Sequence, residues 1–178
     1  MKAQKIKNYI QILGALLFGF AIHSCGIYSF TGASIPAGTE TFQVNYFENV
    51  AGNRPGSTIE PGLDRDFTLA LQDILINQTN LNLTNTNGDL VFEGEIVEYG
   101  ITPMSATAEN TAAQNRLTIS VNVRYFNVKK EDDNYETRFS FYYDFPAEQQ
   151  LYDIKDTAHA EIFERITQDI FNASLAKW

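Results

Sequence analysis

The sequence predicts an α+β fold: a two-layer sandwich in which two amphipathic helices lie on one face of a four-stranded mixed sheet. Two stretches repeat apolar residues at helical spacing, and four others alternate apolar with polar residues. Along the chain they run strand, helix, strand, strand, strand, helix. Two helices of this kind suffice to cover one face of such a sheet, which leaves the other face wet.

The first strand is read at Thr41 to Phe47 (TFQVNYF), with Phe42, Val44 and Tyr46 on one side. Turn chemistry follows from Asn49 to Pro61, where Gly52-Asn53 and Pro55-Gly56 stand. From Leu63 the period changes. Phe67, Ala70, Leu71, Ile74 and Leu75 fall at i, i+3, i+4, i+7 and i+8, which predicts a helix running to about Gln78. Asp64 and Asp66 lie in its first turns, where negative charge complements the helix dipole. The Asn- and Thr-rich stretch Thr79 to Asp89 is a connection with room for a short strand at Leu81 to Leu83.

Three longer strands come next. Leu90 to Tyr99 places Leu90, Phe92 and Ile96 on one face and Glu93 and Glu95 on the other. Leu117 to Tyr125 points Leu117, Ile119, Val121, Val123 and Tyr125 inward. Tyr135 to Phe145 collects Tyr135, Phe139, Phe141, Tyr143 and Phe145 on one side. This pattern is that of an antiparallel meander. The charged run Asn127 to Asn134 reads as a solvated hairpin end. Ile101 to Gln114 is a long connection, rich in small residues and almost uncharged, of a length often used for binding. A final helix is predicted from Asp153, its candidate N-cap, to Trp178, with the stripe Ala158, Ile162, Ile166, Ile170 and Ala173 widened by Phe163 and Phe171.

The first 24 residues have a different character. Lys2, Lys5 and Lys7 precede an apolar run, Tyr9 to Ile22, interrupted by Gln11. Charge followed by a short apolar segment is the order of a secretory signal. The run is 14 residues long, short of the roughly 20 that a membrane-spanning helix needs. It ends in Ile22-His23-Ser24-Cys25, which resembles the aliphatic and small residues before the lipidated cysteine of a bacterial lipoprotein. Cys25 is the sole cysteine of the chain and is the expected lipidation site. A diacylglycerol and an N-acyl chain on it exceed the two signals that stable anchoring takes. No acidic residue follows Cys25 before Glu40, so an aspartate retaining the protein at the inner membrane is absent. The expected organisation is a signal peptide at 1–24, a lipidated lead-in at 25–40 and a single domain at 41–178, held at the outer membrane and facing the periplasm.

Composition narrows the function. The chain carries a net charge of −9, and removal of the three signal lysines takes it to −12. Such a surface argues against a nucleic-acid partner. With no second cysteine the domain must hold without disulfides. No nucleophile elbow, phosphate loop or metal-ligand spacing occurs. His159 is read as a surface helix residue. Glu93, Glu95 and Glu98 are weighed as a carboxylate pair, but Glu93 and Glu95 alternate on the wetter face of one strand, the ordinary place for solvated charge. Neither an enzyme nor a cofactor is expected.

Several stretches together carry a family resemblance: Cys25-Gly-Ile-Tyr-Ser-Phe-Thr-Gly-Ala-Ser-Ile-Pro, Gly88-Asp-Leu-Val-Phe-Glu-Gly-Glu-Ile, Asn115-Arg-Leu-Thr-Ile-Ser-Val, Phe139-Ser-Phe and Gln168-Asp-Ile-Phe-Asn. The chain resembles a distant variant of the lipopolysaccharide-assembly lipoprotein family LptE over residues 25 to 178. That resemblance implies a lipid-anchored subunit of the lipopolysaccharide translocon, partly lodged as plug and assembly factor inside an outer-membrane β-barrel. It also implies a two-helix, four-strand fold. The expected partners are that barrel and, where a lipid contact is made, lipopolysaccharide; the acidic balance favours the barrel as the direct one. Arg116 and Arg124, on the outward face of one strand, and Ser105, Thr107 and Thr111, in the little-charged connection, are the candidate contacts. Pairing of the two arginines with glutamates such as Glu93 or Glu95 is the competing reading. An alternative function is a periplasmic lipoprotein that regulates a cell-wall enzyme or another envelope complex.

Overall fold

The computed structural model describes residues 35–104 and 113–176. The signal peptide, Cys25, and the loop residues Ser105, Thr107 and Thr111 lie outside them. Along the chain come β1 (Thr41–Val44), β2 (Glu48–Asn49), α1 (Leu63–Gln78), β3 (Asn82–Leu83), β4 (Leu90–Met104), β5 (Gln114–Asn127), β6 (Tyr135–Pro146) and α2 (Leu151–Leu175). The sheet order is β3-β1-β4-β5-β6, with β2 also paired to β4. The fold is α+β with two helices and a mixed sheet, but the sheet has six strands and not four. The two additions, β2 and β3, are two residues long each. A pair of residues cannot display a period, so only their pairing with a neighbour defines them.

β4, β5 and β6 form the expected antiparallel meander. β1 runs parallel to β4, a pairing that requires a crossover, here supplied by α1. Both helices cover the same sheet face. Phe67, Leu71 and Leu75 of α1 and Ile162, Ile166 and Ile170 of α2 are buried there, with Phe92, Ile96, Ile119 and Val121 from the strands beneath.

Two phase shifts shape the sheet. Between β1 and β2, Val44 pairs with Phe92 and Glu48 with Glu95, so the first strand gains one residue on β4. An extra residue inverts the side-chain alternation. Tyr46, expected inside, is 61% exposed, and Phe47 is fully buried in its stead. The second shift is a bulge in β4 between Ile96 and Glu98. Even-numbered residues face inward up to Ile96, so unbroken alternation would drive Glu98 into the core. The bulge at Val97 turns Glu98 outward and buries Tyr99.

α2 also departs from expectation at both ends. It begins at Leu151 with Gln150, not Asp153, in the N-cap position, and no side chain caps it. At its other end Ala173 is exposed, while Ser174 is buried and bonds to the Tyr135 hydroxyl at 2.8 Å. The inward stripe drifts because 3.6 residues per turn do not repeat in register over 25 residues.

Asp89 fastens the start of the sheet. Its Oδ2 accepts from the backbone N–H of Glu40 at 2.9 Å and from the N–H and hydroxyl of Thr41, both at 3.1 Å. Lys129 Nζ stands 3.1 Å from Oδ1. The Glu40 N–H, followed by Lys129, pulls the carboxyl from 3.8 down to about 2. A carboxylate with a depressed folded value stabilises fully above its unfolded value, and that stability is lost as pH falls toward the folded one. Denaturant titrations of the parent are therefore expected to show a stability loss between about pH 4 and 2. In Asp89→Asn this part of the acid slope is absent and stability at pH 7 is lower. Equal slopes in the two proteins would remove Asp89 from this role.

Candidate functional site

The outer sheet face, opposite the helices, is where the charged strand residues gather. Arg124 lies directly across from Glu93 in the β4–β5 register. Its Nε donates to Glu93 Oε1 at 3.0 Å and its Nη1 to Glu95 Oε2 at 3.2 Å. The three side chains are about equally half-buried, at 32%, 34% and 31% exposure. Glu93 also accepts from Asn45 Nδ2 at 3.1 Å, and Asn45 Oδ1 accepts from Gln43 Nε2 at 2.6 Å. The hydrogen bonds that Arg124 donates to Glu93, and then to Glu95, raise the affinity of its guanidinium for its proton.

A second cluster centres on Glu98, placed outward by the bulge. Its Oε2 accepts from Ser120 Oγ at 2.7 Å, Arg54 Nη1 at 2.9 Å and Arg138 Nη2 at 2.6 Å. Ser140 Oγ stands 2.9 Å from Ser120 Oγ. A third lies toward the far end of β5. Arg116 grips Asp144 through Nε and Nη2 at 2.7 and 2.8 Å and sits 3.5 Å above the Tyr142 ring. This fork geometry is the stronger form of an Arg–carboxylate pair.

The candidate residues thus occupy one face without converging. Arg116 and Arg124 belong to separate clusters, eight positions apart on β5, and each is bonded to carboxylates. Arg124 takes the glutamates named in the competing reading, whereas Arg116 takes an aspartate on the other neighbouring strand. Glu98 and Arg138 were not singled out as interaction residues in the sequence. The conflict between β4 alternation and an inward Glu98 was the available signal.

His159 is not the surface residue expected. It is half-buried, stacked on Phe163 with ring centroids 5.8 Å apart, and its Nε2 lies 3.1 Å from the Tyr99 hydroxyl. Burial lowers its pKa from the ordinary value, which favours the neutral ring. Among the described residues no group of His, Cys, Asp and Glu is arranged to hold a metal ion. No described helix is long and apolar enough to cross a membrane.

A helix-covered sheet whose bare face carries arginines bonded to carboxylates is the class of protein the fold defines. Comparison with known proteins gives the particular kind. The lipopolysaccharide-assembly family model LptE matches residues 39–174, and the chain belongs to this family of outer-membrane lipoproteins. Among solved structures, the hypothetical protein CT253 of Chlamydia trachomatis shares the fold at 13% identity, with a TM-score of 0.50 over 78% of this chain and 99% of that one. A minor lipoprotein of Acinetobacter baumannii matches at 11% identity and a TM-score of 0.46 over 79% and 98%. The rare lipoprotein B of Shewanella oneidensis matches at 11% and 0.41 over 74% and 89%. No curated protein matches the chain.

Proposed function

We propose that this chain is a non-catalytic, lipid-anchored subunit of the lipopolysaccharide translocon. It is held on the periplasmic side of the outer membrane by acyl chains on Cys25, and it lodges in the lumen of a β-barrel partner as plug and assembly factor. One observation carries the reading. The outer sheet face is uncovered among the described residues, yet each arginine on its strands, Arg116, Arg124 and Arg138, is already bonded to a carboxylate within the molecule. Unpaired charges are costly to move out of water, whereas paired and hydrogen-bonded ones cost far less. Such a face suits contact with the polar inner wall of a barrel. It suits capture of one phosphate poorly, because its guanidinium groups are divided among separate carboxylates. Ser105, Thr107 and Thr111, in the connection between β4 and β5, belong to the same proposed contact.

The test is affinity purification of the tagged protein from detergent-solubilised outer membranes, followed by identification of what it retains. A large β-barrel protein is expected in the eluate of the parent. Arg124→Glu sets a third carboxylate beside Glu93 and Glu95 and is expected to lower barrel recovery about tenfold, equivalent to about 1.4 kcal/mol. The fold should survive, since partly exposed ion pairs contribute about 0–1 kcal/mol each. An eluate without any β-barrel overturns the proposal, and a cell-wall enzyme in its place supports the alternative.

A further inference from the structure

The last strand of the sheet ends in an edge that nothing in the described residues covers. β6 is twelve residues long, pairs with β5 in an unbroken register, and has no proline before Pro146. Just past the ladder, Ala147 N–H donates to Ala113 O at 3.1 Å. This sets the phase: odd-numbered β6 residues turn their N–H and C=O toward β5, and even-numbered residues from Glu136 to Asp144 turn theirs to the open side. The free row is about 27 Å long at about 3.4 Å per residue. Proteins usually blunt such edges with bulges, prolines, charged side chains or a covering element; β6 has no bulge and no proline before its last position, and the charges at its open-side positions, Glu136, Arg138 and Asp144, restrict the registers a partner strand can take. Alongside it runs a groove of about 280 Å³ lined by Phe141, Glu161, Glu164, Arg165 and Gln168.

We propose that β6 pairs antiparallel with β6 of a second copy of this chain, about a two-fold axis at Phe141. Charge selects both the occupant and the register. Centring on Phe141 sets Arg138 opposite Asp144 of the second copy, twice by symmetry. Arg138 already bonds to Glu98 and Asp144 to Arg116, so the new contact extends both pairs into an alternating row of positive and negative groups. Centring on Ser140 would instead oppose Glu136 to Asp144 in both halves, which is destabilising. Centring on Phe139 would leave Arg138 facing serine. The groove lies beside the same axis, where the Arg165 guanidinium, paired with Asp169 of its own helix at 3.4 Å, stands 5.7 Å from the Phe141 ring. The dimer pairs backbone along the sheet edge, although Arg138 and Asp144 also lie on the face assigned to barrel docking, so a change confined to the edge backbone separates the two proposals.

Two variants of the full chain, purified in detergent, test this. Sedimentation equilibrium in density-matched detergent is expected to show a monomer–dimer equilibrium for the parent. Ser140→Pro removes one outward N–H at a position an edge strand tolerates, and it should abolish the dimer while leaving the circular dichroism melt close to that of the parent. In a Cys25→Ser background, Phe141→Cys faces its own copy in a non-hydrogen-bonded pair, where Cα atoms lie about 4.5 Å apart, within disulfide range. It should cross-link under mild oxidation, whereas Leu69→Cys on the outer face of α1 should not. A parent that stays monomeric at all concentrations, a dimer that persists in Ser140→Pro, or equal cross-linking at positions 69 and 141 overturns the proposal. If Phe141→Cys fails to fold, the Ser140→Pro comparison decides.

Discussion

Phe67→Ala is expected to destabilise the domain by about 3–5 kcal/mol, the range for deleting a buried phenyl ring. Phe67 is fully buried. It stands edge-on to Phe47 at 5.1 Å and to Phe163 at 5.4 Å, with interplanar angles of 74° in both contacts. The three rings come from the link between β1 and β2, from α1 and from α2. Loss of the middle one therefore loosens three elements at once, where an ordinary core truncation empties a space between two. At about 3–4 °C per kcal/mol for a domain of this size, melting should fall by roughly 10 °C or more. Leu69→Ala is the matched control, because Leu69 on the same helix is 49% exposed and its truncation should shift stability by no more than about 0.5 kcal/mol. Similar melts for the two variants would show that the aromatic column does not hold α1 in place.

How much of this could be read from the chain depends on whether the governing interaction is local. α1 falls at Leu63–Gln78 as its spacing predicts, since a run of apolar residues at i, i+3 and i+4 admits one buried face. The inward set of β5, from Leu117 to Tyr125, is fully buried for the same reason with period two. What escaped the sequence is what the neighbouring strand decides. The exchange of Tyr46 for Phe47 and the outward turn of Glu98 both follow from one extra residue against a partner. Alternation assigns faces but not register, so it could put Arg124 and Glu93 on one face without placing them opposite each other. His159 was misread because a helical position says nothing of Tyr99, which the bulge carries toward it. Arg116 and Arg124 were legible as outward residues of β5; their different carboxylate partners were set by the strands on either side.

Gly94→Val should be nearly as damaging as Phe67→Ala, at about 3 kcal/mol or more, the upper range for forcing volume into a packed core. Gly94 lies on the inner side of β4 between Phe92 and Ile96. A Cβ there would meet the backbone oxygen of Asn122 and would stand 2.8 Å from Cε1 of Phe47. The missing side chain is thus the space into which the Phe47 ring fits. Phe47 reaches that space only because of the phase shift after β1, so the glycine and the shift depend on each other. Truncating the ring as well, in Gly94→Ala with Phe47→Leu, should recover only part of the loss, because the contact with the Asn122 backbone remains. A Gly94→Ala protein that melts within about 2 °C of the parent, roughly half a kcal/mol at this size, would refute the fit. The same substitution bears on docking. Glu93 and Glu95 flank Gly94 and point to the opposite face, so β4 cannot move away from β5 at Gly94 without separating both carboxylates from Arg124. Barrel recovery should therefore fall in Gly94→Ala by more than its loss of folded protein accounts for, and in Phe67→Ala only in proportion to that loss.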